Sequence, residues 1–264
     1  MKSVLAALVI AFLGLPLAQA KNDYHGLPPA GAAAKGAPQA AVCAACHGSN
    51  GMATSTAYPN LAGQKFNYIL KELENFRSGA RKNSIMSAMA MTILPSKDHA
   101  NLKDIAAHFS ELEPMWAQEA AQPPAAAAPD QLALGKDIYQ LGVAKKDIPS
   151  CAACHGLGGE GNAPMAIPAL AGQHAAYVLT QLQQFASGAR HNSPGHVMHM
   201  IARAMNAKQE AAVAAYVRRL DPATSLGIGP KDFTEYAESL AATHASAHEA
   251  LKAPAATAAG KAAH

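Results

Sequence analysis

A five-residue motif occurs twice in this chain, and this repetition constrains the fold more than any other feature. The letters CAACH occupy residues 43–47 and return at residues 151–155. All four cysteines of the chain lie in these two copies, which leaves no cysteine for a disulfide elsewhere. A chain that repeats its cysteine motif in this way is expected to contain two similar structural units.

Each copy has the spacing of a covalent attachment site for a c-type haem. Two thiols three residues apart on a helical turn can add to the two vinyl groups of one haem edge, and the imidazole that follows can bind the iron. The motifs therefore predict two covalently bound haem c groups. The residues assigned to them are Cys43, Cys46, His47, Cys151, Cys154 and His155.

A C-x-x-C pair is also found in structural zinc sites and in thioredoxin-like redox centres. A four-thiolate zinc site would have to combine cysteine pairs that lie 108 residues apart in the chain. Neither alternative explains why a histidine follows each second cysteine, so haem attachment is the favoured interpretation.

The amino-terminal residues have the features of a secretory signal peptide. A positively charged start is followed by an apolar run from Val4 to Leu17 and by a small-residue cleavage pattern that ends at Ala20. Residues 1–20 are therefore predicted to be removed, and an uncleaved anchor is the alternative. The run is short for a membrane span and no other segment is apolar for long enough, so we expect no membrane span in the mature chain. Export agrees with haem attachment and predicts a periplasmic protein.

Composition favours two small domains that are each filled by a cofactor. Aromatic residues make up only 5% of the chain, which is little for two independent cores, and a buried macrocycle in each half would add apolar mass. The formal net charge of +3 gives no support to nucleic-acid binding.

The duplication extends well beyond the motif. The letters LAGQ at residues 61–64 recur at 170–173, and SGAR at residues 78–81 recurs at 187–190. Between these blocks each half has apolar residues at helical spacing, which predicts an amphipathic helix that ends at a glycine. The paired positions are Tyr68, Ile69, Leu73 and Phe76 in the first half and Tyr177, Val178, Leu182 and Phe185 in the second. No strand-like alternation occurs, so we predict an all-α protein of two tandem haem domains.

The predicted domains occupy residues 21–112 and 131–222. The segment between them, residues 113–130, contains four prolines and four consecutive alanines, which is typical of a partly extended linker. Residues 223–264 have no counterpart in the first half. This extension is expected to be partly helical and then disordered, because its end is rich in alanine and poor in large apolar residues.

A low-spin electron carrier needs a second axial ligand at each iron, usually a methionine or another histidine. The candidates are Met86, Met89 and Met91 in the first half and Met198, Met200, His191, His196 and His199 in the second. Aligning Ala90 with Ala202 sets Met86 against Met198 and places three additional residues in the second half, around residues 194–196. No other thioethers are equivalent, so this pair is the favoured ligand set and the other methionines are assigned to packing.

These features resemble the cytochrome c4 family of dihaem cytochromes. The resemblance covers roughly residues 39–220, through the CAACHG, LAGQ and Gly-Ala-Arg segments and the methionines that precede a helix. It implies two domains like mitochondrial cytochrome c and electron transfer in the periplasm. It assigns the thioether bonds to the four motif cysteines and the axial positions to His47 with Met86 and to His155 with Met198.

The resemblance also implies groups around each haem. In such cytochromes a proline carbonyl accepts a hydrogen bond from the imidazole on the iron, and Pro59 and Pro168 occupy the matching positions. Arg81 and Arg190 are candidate partners of the haem propionates, because guanidinium groups suit carboxylates. A solvated surface arginine is the alternative for both.

The matched methionines predict a non-enzymatic carrier that passes single electrons between respiratory proteins, such as a dehydrogenase and a terminal oxidase, through transient contacts. A dihaem peroxidase is disfavoured, because it needs an iron that peroxide can reach. A cytochrome subunit of a flavoprotein dehydrogenase is the closer alternative.

Overall fold

Helices make up the regular structure of the computed structural model, which describes residues 27–92, 100–119 and 127–225. The predicted signal peptide and nearly all of the predicted extension, residues 226–264, lie outside these ranges. In chain order the helices are α1 Ala32–Ala40, α2 Ala44–His47, α3 Phe66–Ser78, α4 Ser84–Thr92, α5 Ala100–Glu111, α6 Met115–Glu119, α7 Pro129–Leu141, α8 Ala152–His155, α9 Ala175–Ser187, α10 Val197–Ala204, α11 Ala207–Val217 and α12 Pro222–Ser225. Three 3₁₀ turns accompany them, at Ala41–Cys43, Ala144–Lys146 and Pro194–His196.

The prediction of an all-α fold is confirmed, since the described ranges contain two isolated β-bridges and no strand. The first half runs from α1 to α5, and the second half repeats this order from α7 to α11. In the same ranges, no helix combines the length and the hydropathy that crossing a bilayer requires.

In each half, the first helix packs across the last. α1 lies against α5, and α7 lies against α11. A glycine stands at each crossing: a Cβ on Gly36 would overlap the backbone carbonyl of Asp104, and a Cβ on Gly135 would overlap that of Ala212. Close backbone approach therefore explains why a residue with low helix propensity lies inside both helices.

The long amphipathic helices form as their spacing predicts. α3 buries Ile69 and Phe76, and α9 buries Val178 and Phe185 against the core of its own half. Both helices stop at a left-handed glycine, Gly79 with φ 79° and Gly188 with φ 77°. Only glycine adopts this conformation without a steric penalty, so the chain turns sharply there toward the methionine-bearing helix.

Part of the predicted linker is folded onto the second half. α6 lies within residues 113–130, where we expected partly extended chain, and α7 already begins at Pro129. Met115 and Trp116 are buried in the same apolar cluster as the core of the second half. Gly172 lies so close to the backbone of Trp116 that a Cβ would overlap it. Burial of two large apolar side chains explains why this stretch is helical despite its neighbouring prolines.

The crossing of α7 and α11 makes a testable prediction. Gly135→Ala should destabilise the protein by about 1–3 kcal/mol, although alanine is the better helix former, because its methyl group meets the Ala212 carbonyl. Lys136→Ala on the exposed side of the same helix is the control and should change little. Urea unfolding of the haem-loaded protein measures both, and equal midpoints would contradict the close crossing.

Candidate haem sites

Each CAACH motif forms a short helical turn with its histidine turned inward. His47 and His155 are buried, and Cys43, Cys46 and Cys151 are partly buried, whereas Cys154 is exposed. Gly48 and Gly156 end the two turns with φ 78° and 85°. The equivalent turns therefore present two thiols and one imidazole in the same order along the chain in both halves.

The surroundings of the thiols argue against the two alternatives to haem attachment, a zinc site and a thioredoxin-like redox centre. Burial raises the pKa of the Cys43 thiol, and it raises the pKa of the Cys151 thiol to about 11. A redox-active C-x-x-C pair instead needs a lowered thiol pKa. Among the described residues, which include all four cysteines, no three His, Cys, Asp or Glu side chains converge as a metal site would require.

A backbone carbonyl holds the imidazole in each half. Nδ1 of His47 donates to the carbonyl oxygen of Pro59 at 2.9 Å, and Nδ1 of His155 donates to that of Pro168 at 3.0 Å. Because a carbonyl oxygen only accepts, we assign the proton to Nδ1 in both rings. The lone pair of each ring is then on Nε2.

The state of both rings fits iron ligation. Burial lowers the pKa of His47 and of His155, although the hydrogen bond to the proline carbonyl opposes the shift, so both rings are neutral. Within the described residues, neither Nε2 has a hydrogen-bond partner. A neutral imidazole with Nδ1 engaged and Nε2 available is the form that ligates a metal.

The methionine helices occupy equivalent places in the two halves. Met86 of α4 packs on the first core, and Met198 of α10 packs on the second. Four residues later, Ala90 and Ala202 are both buried. The three additional residues of the second half form the 3₁₀ turn Pro194–His196, which fits the alignment that pairs the two methionines.

Of the other candidate ligands, Met89 is partly buried, as Met86 is. Met91 and Met200 are mostly exposed, at 65% and 60%. His199 donates from Nδ1 to the carbonyl oxygen of Phe185 at 2.7 Å, as His47 and His155 do to their proline carbonyls, so this contact does not remove His199 as a candidate; His191 and His196 are exposed. The positions of Met86 and Met198 agree with their alignment, and their ligation of iron stays a prediction.

Arg81 and Arg190 are buried where the two halves meet. Both guanidinium groups donate to Oε2 of Glu72, at 2.7 and 3.1 Å, and both donate to Oε1 of Gln181, at 2.7 and 2.9 Å. Neither arginine is therefore a solvated surface residue. The propionate role of this pair stays a prediction.

The contacts of this arginine cluster cross between the halves. Arg81 donates to the Tyr177 hydroxyl at 3.0 Å, and Arg190 donates to the Tyr68 hydroxyl at 3.2 Å. The sequence signal for these tyrosines was their repetition at matching positions of the two amphipathic helices, where they count among the apolar residues. Nothing local in the sequence indicated that they reach the opposite half.

Glu72 is ionised inside this cluster. Desolvation alone would raise the pKa of Glu72, but Arg190, Arg81 and Lys71 attract its negative charge and hold the pKa well below the usual range. Three cationic groups thus face one carboxylate. An acidic cofactor would compensate the excess positive charge, and in this respect the cluster fits a haem with propionates.

Removing the Glu72 charge should weaken the interface. Glu72→Gln removes the carboxylate that two buried guanidinium groups share, and we expect a loss of about 3–5 kcal/mol at pH 7 in urea unfolding. Because the folded pKa is depressed, the contribution of Glu72 is complete above its unfolded pKa of about 4.3 and declines as the pH falls further. The difference between wild type and variant should therefore shrink below about pH 4.

Two variants control for this effect. Glu111→Gln removes an exposed carboxylate and should change little at any pH. Gln181→Glu adds a second carboxylate facing the same two guanidinium groups and should preserve the interface. The assigned role would be contradicted if wild type and Glu72→Gln had equal unfolding free energies at pH 7. It would also be contradicted if the difference between them stayed constant down to pH 3.

Comparison with known proteins gives a consistent result. The cytochrome c family matches residues 33–113 and again residues 132–221. Cytochrome c4 of Azotobacter vinelandii is 36% identical over 197 residues, which cover 72% of this chain and 90% of that protein. A thiosulfate dehydrogenase electron acceptor of Thiomonas intermedia (strain K12) is 38% identical over 181 residues, which cover 68% of this chain and 79% of that protein.

A solved structure agrees with these relatives. The crystal structure of reduced recombinant cytochrome c4 from Pseudomonas stutzeri superposes with a TM-score of 0.63 at 32% identity, covering 72% of this chain and 98% of that chain. The family carries covalently bound haem c, and its cytochrome c4 members transfer electrons rather than catalyse a reaction. With two family matches that each span a CAACH motif and a buried histidine, this chain belongs to the cytochrome c family and is similar to its cytochrome c4 members.

Proposed function

We propose that this protein is a periplasmic dihaem cytochrome c that carries single electrons between respiratory donor and acceptor proteins. One observation carries the proposal: both halves place two thiols and a neutral, buried imidazole in the same arrangement, each imidazole fixed by a proline carbonyl. Two equivalent sites of this kind fit two covalently attached haems. Haem bound there supplies an iron that alternates between the ferrous and ferric states.

The chain supplies each site with the groups that a carrier needs. His47 and His155 are the proposed proximal ligands, and Met86 and Met198 the proposed second ligands. A six-coordinate iron excludes exogenous ligands, which suits electron transfer and disfavours a peroxidase. Arg81 and Arg190 are the proposed propionate partners, because the cluster that contains them has an excess of positive charge.

The haem count is the first test. The mature protein should carry two haems that survive acid-acetone extraction, because thioether bonds do not dissociate. Cys43→Ser should weaken attachment in the first half alone, and Cys151→Ser should do the same in the second. Mass spectrometry of the intact protein measures the count, and one haem or none on the wild-type chain would refute the dihaem proposal.

The methionine ligands are tested separately. Met86→Ala should abolish the far-red charge-transfer band of one ferric haem and open that iron to imidazole, because the thioether ligand is lost. Met198→Ala should do the same for the other haem. Met91→Leu and Met200→Leu are matched controls, since both side chains are largely exposed. Loss of a band in Met91→Leu rather than in Met86→Ala would overturn the assignment in the first half.

A more specific role has support from one relative. The Thiomonas protein is named as the electron acceptor of a thiosulfate dehydrogenase, so we infer that such a dehydrogenase is a candidate donor to this chain as well. A flavoprotein dehydrogenase is the alternative donor. The assay is reduction of the oxidised protein by each enzyme with its substrate, followed optically.

The partner test also separates a carrier from a subunit. A carrier should be reduced by collision, with a rate that falls as ionic strength rises if charges steer the encounter. Gel filtration with the donor should then show two separate proteins. A complex that survives gel filtration would instead identify the chain as a dehydrogenase subunit.

A further inference from the structure

Two buried glutamines link the halves of the molecule through the backbone next to each haem-site proline. They are Gln64 and Gln173, the last letters of the two LAGQ segments, and each side chain is 3% exposed. Gln173 contacts the backbone of Asn60, and Gln64 contacts the backbone of Ala169. Asn60 and Ala169 directly follow Pro59 and Pro168.

Each glutamine makes the same pair of hydrogen bonds across the interface. The Asn60 N–H donates to Oε1 of Gln173 at 2.9 Å, and Nε2 of Gln173 donates back to the Asn60 carbonyl at 2.9 Å. The Ala169 N–H donates to Oε1 of Gln64 at 2.8 Å, and Nε2 of Gln64 donates back to the Ala169 carbonyl at 3.0 Å. The two contacts are therefore equivalent, and each crosses from one half to the other.

The orientation of both amides is fixed by their partners. Oε1 of Gln173 also accepts the N–H of His174 at 3.1 Å, and Oε1 of Gln64 accepts the N–H of Lys65 at 2.9 Å. Rotating either amide by a half turn would set its NH₂ group against two N–H donors. Each Oε1 is thus an acceptor aimed at the peptide that follows the proline.

That peptide is the one that holds the imidazole. The carbonyl of Pro59 and the N–H of Asn60 belong to a single peptide unit, whose oxygen accepts from His47 and whose N–H donates to Gln173. The carbonyl of Pro168 and the N–H of Ala169 form the equivalent unit between His155 and Gln64. One peptide group therefore lies between each imidazole and a side chain of the opposite half.

We propose that Gln173 tunes the reduction potential of the first-half haem, and Gln64 that of the second-half haem, each through this shared peptide. An acceptor on the peptide N–H polarises the peptide and makes its carbonyl a better acceptor. A better acceptor draws the Nδ1 proton of the imidazole and makes the ring more electron-rich. A more electron-rich ligand stabilises ferric iron and lowers the potential. The two glutamines are positioning residues, and the inference rests on the proposed haem ligation by His47 and His155.

The test replaces each glutamine with methionine, which keeps the side-chain length and removes the acceptor. Gln173→Met should raise the reduction potential of the first haem by about 30 mV, which corresponds to about a threefold change in the equilibrium constant of its one-electron reduction. The potential of the second haem should stay unchanged. Gln64→Met should raise the potential of the second haem alone. Spectroelectrochemical titration followed by NMR of the hyperfine-shifted haem methyl groups measures both, with the haems assigned by Met86→Ala and Met198→Ala.

Two further variants separate tuning from loosening of the interface. Asn67→Leu removes a partly buried hydrogen bond between the halves, from Asn67 to the Ala163 carbonyl at 2.8 Å, without touching either peptide, and both potentials should stay unchanged. Gln173→Glu keeps an acceptor on the Asn60 N–H and adds negative charge, so the first haem should shift downward by more than the second, and an equal shift of both haems would reflect charge alone and count against the inference. This variant remains informative if the methionine variant does not fold.

The outcomes separate the inference from the proposed function. A wild-type chain that accepts fewer than two electrons in the titration would refute the proposed function itself. Two haem waves that do not respond to Gln173→Met, or that shift together in this variant and in Asn67→Leu, would overturn the glutamine inference alone. Shifts confined to the haem of the opposite half, in both methionine variants, would establish it.

Discussion

The hydrogen bond between a buried imidazole and a peptide carbonyl is the interaction on which the rest of each half depends. A buried polar ring is unfavourable unless it has a partner. Pro59 and Pro168 provide one through their carbonyl oxygens, and the N–H of the same peptide unit, on Asn60 or Ala169, makes the contact across the interface. Holding His47 thus requires the loop that contains Pro59, and the position of this loop is in turn held by Gln173 of the other half.

This dependence makes the interface part of the sites rather than a contact between two finished domains. Each half is small and poor in aromatic residues, so its core has little apolar mass beyond a cofactor. The interface between the halves adds the hydrogen-bonded amides of Gln64 and Gln173 and a buried cluster of charges. Buried polar networks of this kind define one arrangement more sharply than apolar surface does, since an alternative arrangement would leave groups unpaired.

The elements could be predicted from the sequence because they depend on local patterns. The helical spacing of Ile69 and Phe76, the glycine stops and the duplicated CAACH turns are all explicit in the letters, and the carbonyl positions at Pro59 and Pro168 follow from the resemblance. The partners of Gln64, Glu72 and Gln173 could not be predicted in this way. Their contacts lie across the interface, and no local periodicity encodes how two similar helical units dock.

The linker region illustrates the same difference between local pattern and packing. The prolines and alanines of residues 113–130 predict a partly extended linker, but within it Met115 and Trp116 are buried in α6 and packed with the core of the second half. The apolar cluster of the second half therefore includes residues that precede the predicted domain start at residue 131. A fragment cut at the repeat would contain every haem-site residue of the second half yet lack two side chains that complete its core. The Met115 N–H also donates to the carbonyl oxygen of Ala62 in the first half at 3.1 Å, so residues 114–119 join the two halves instead of merely spacing them.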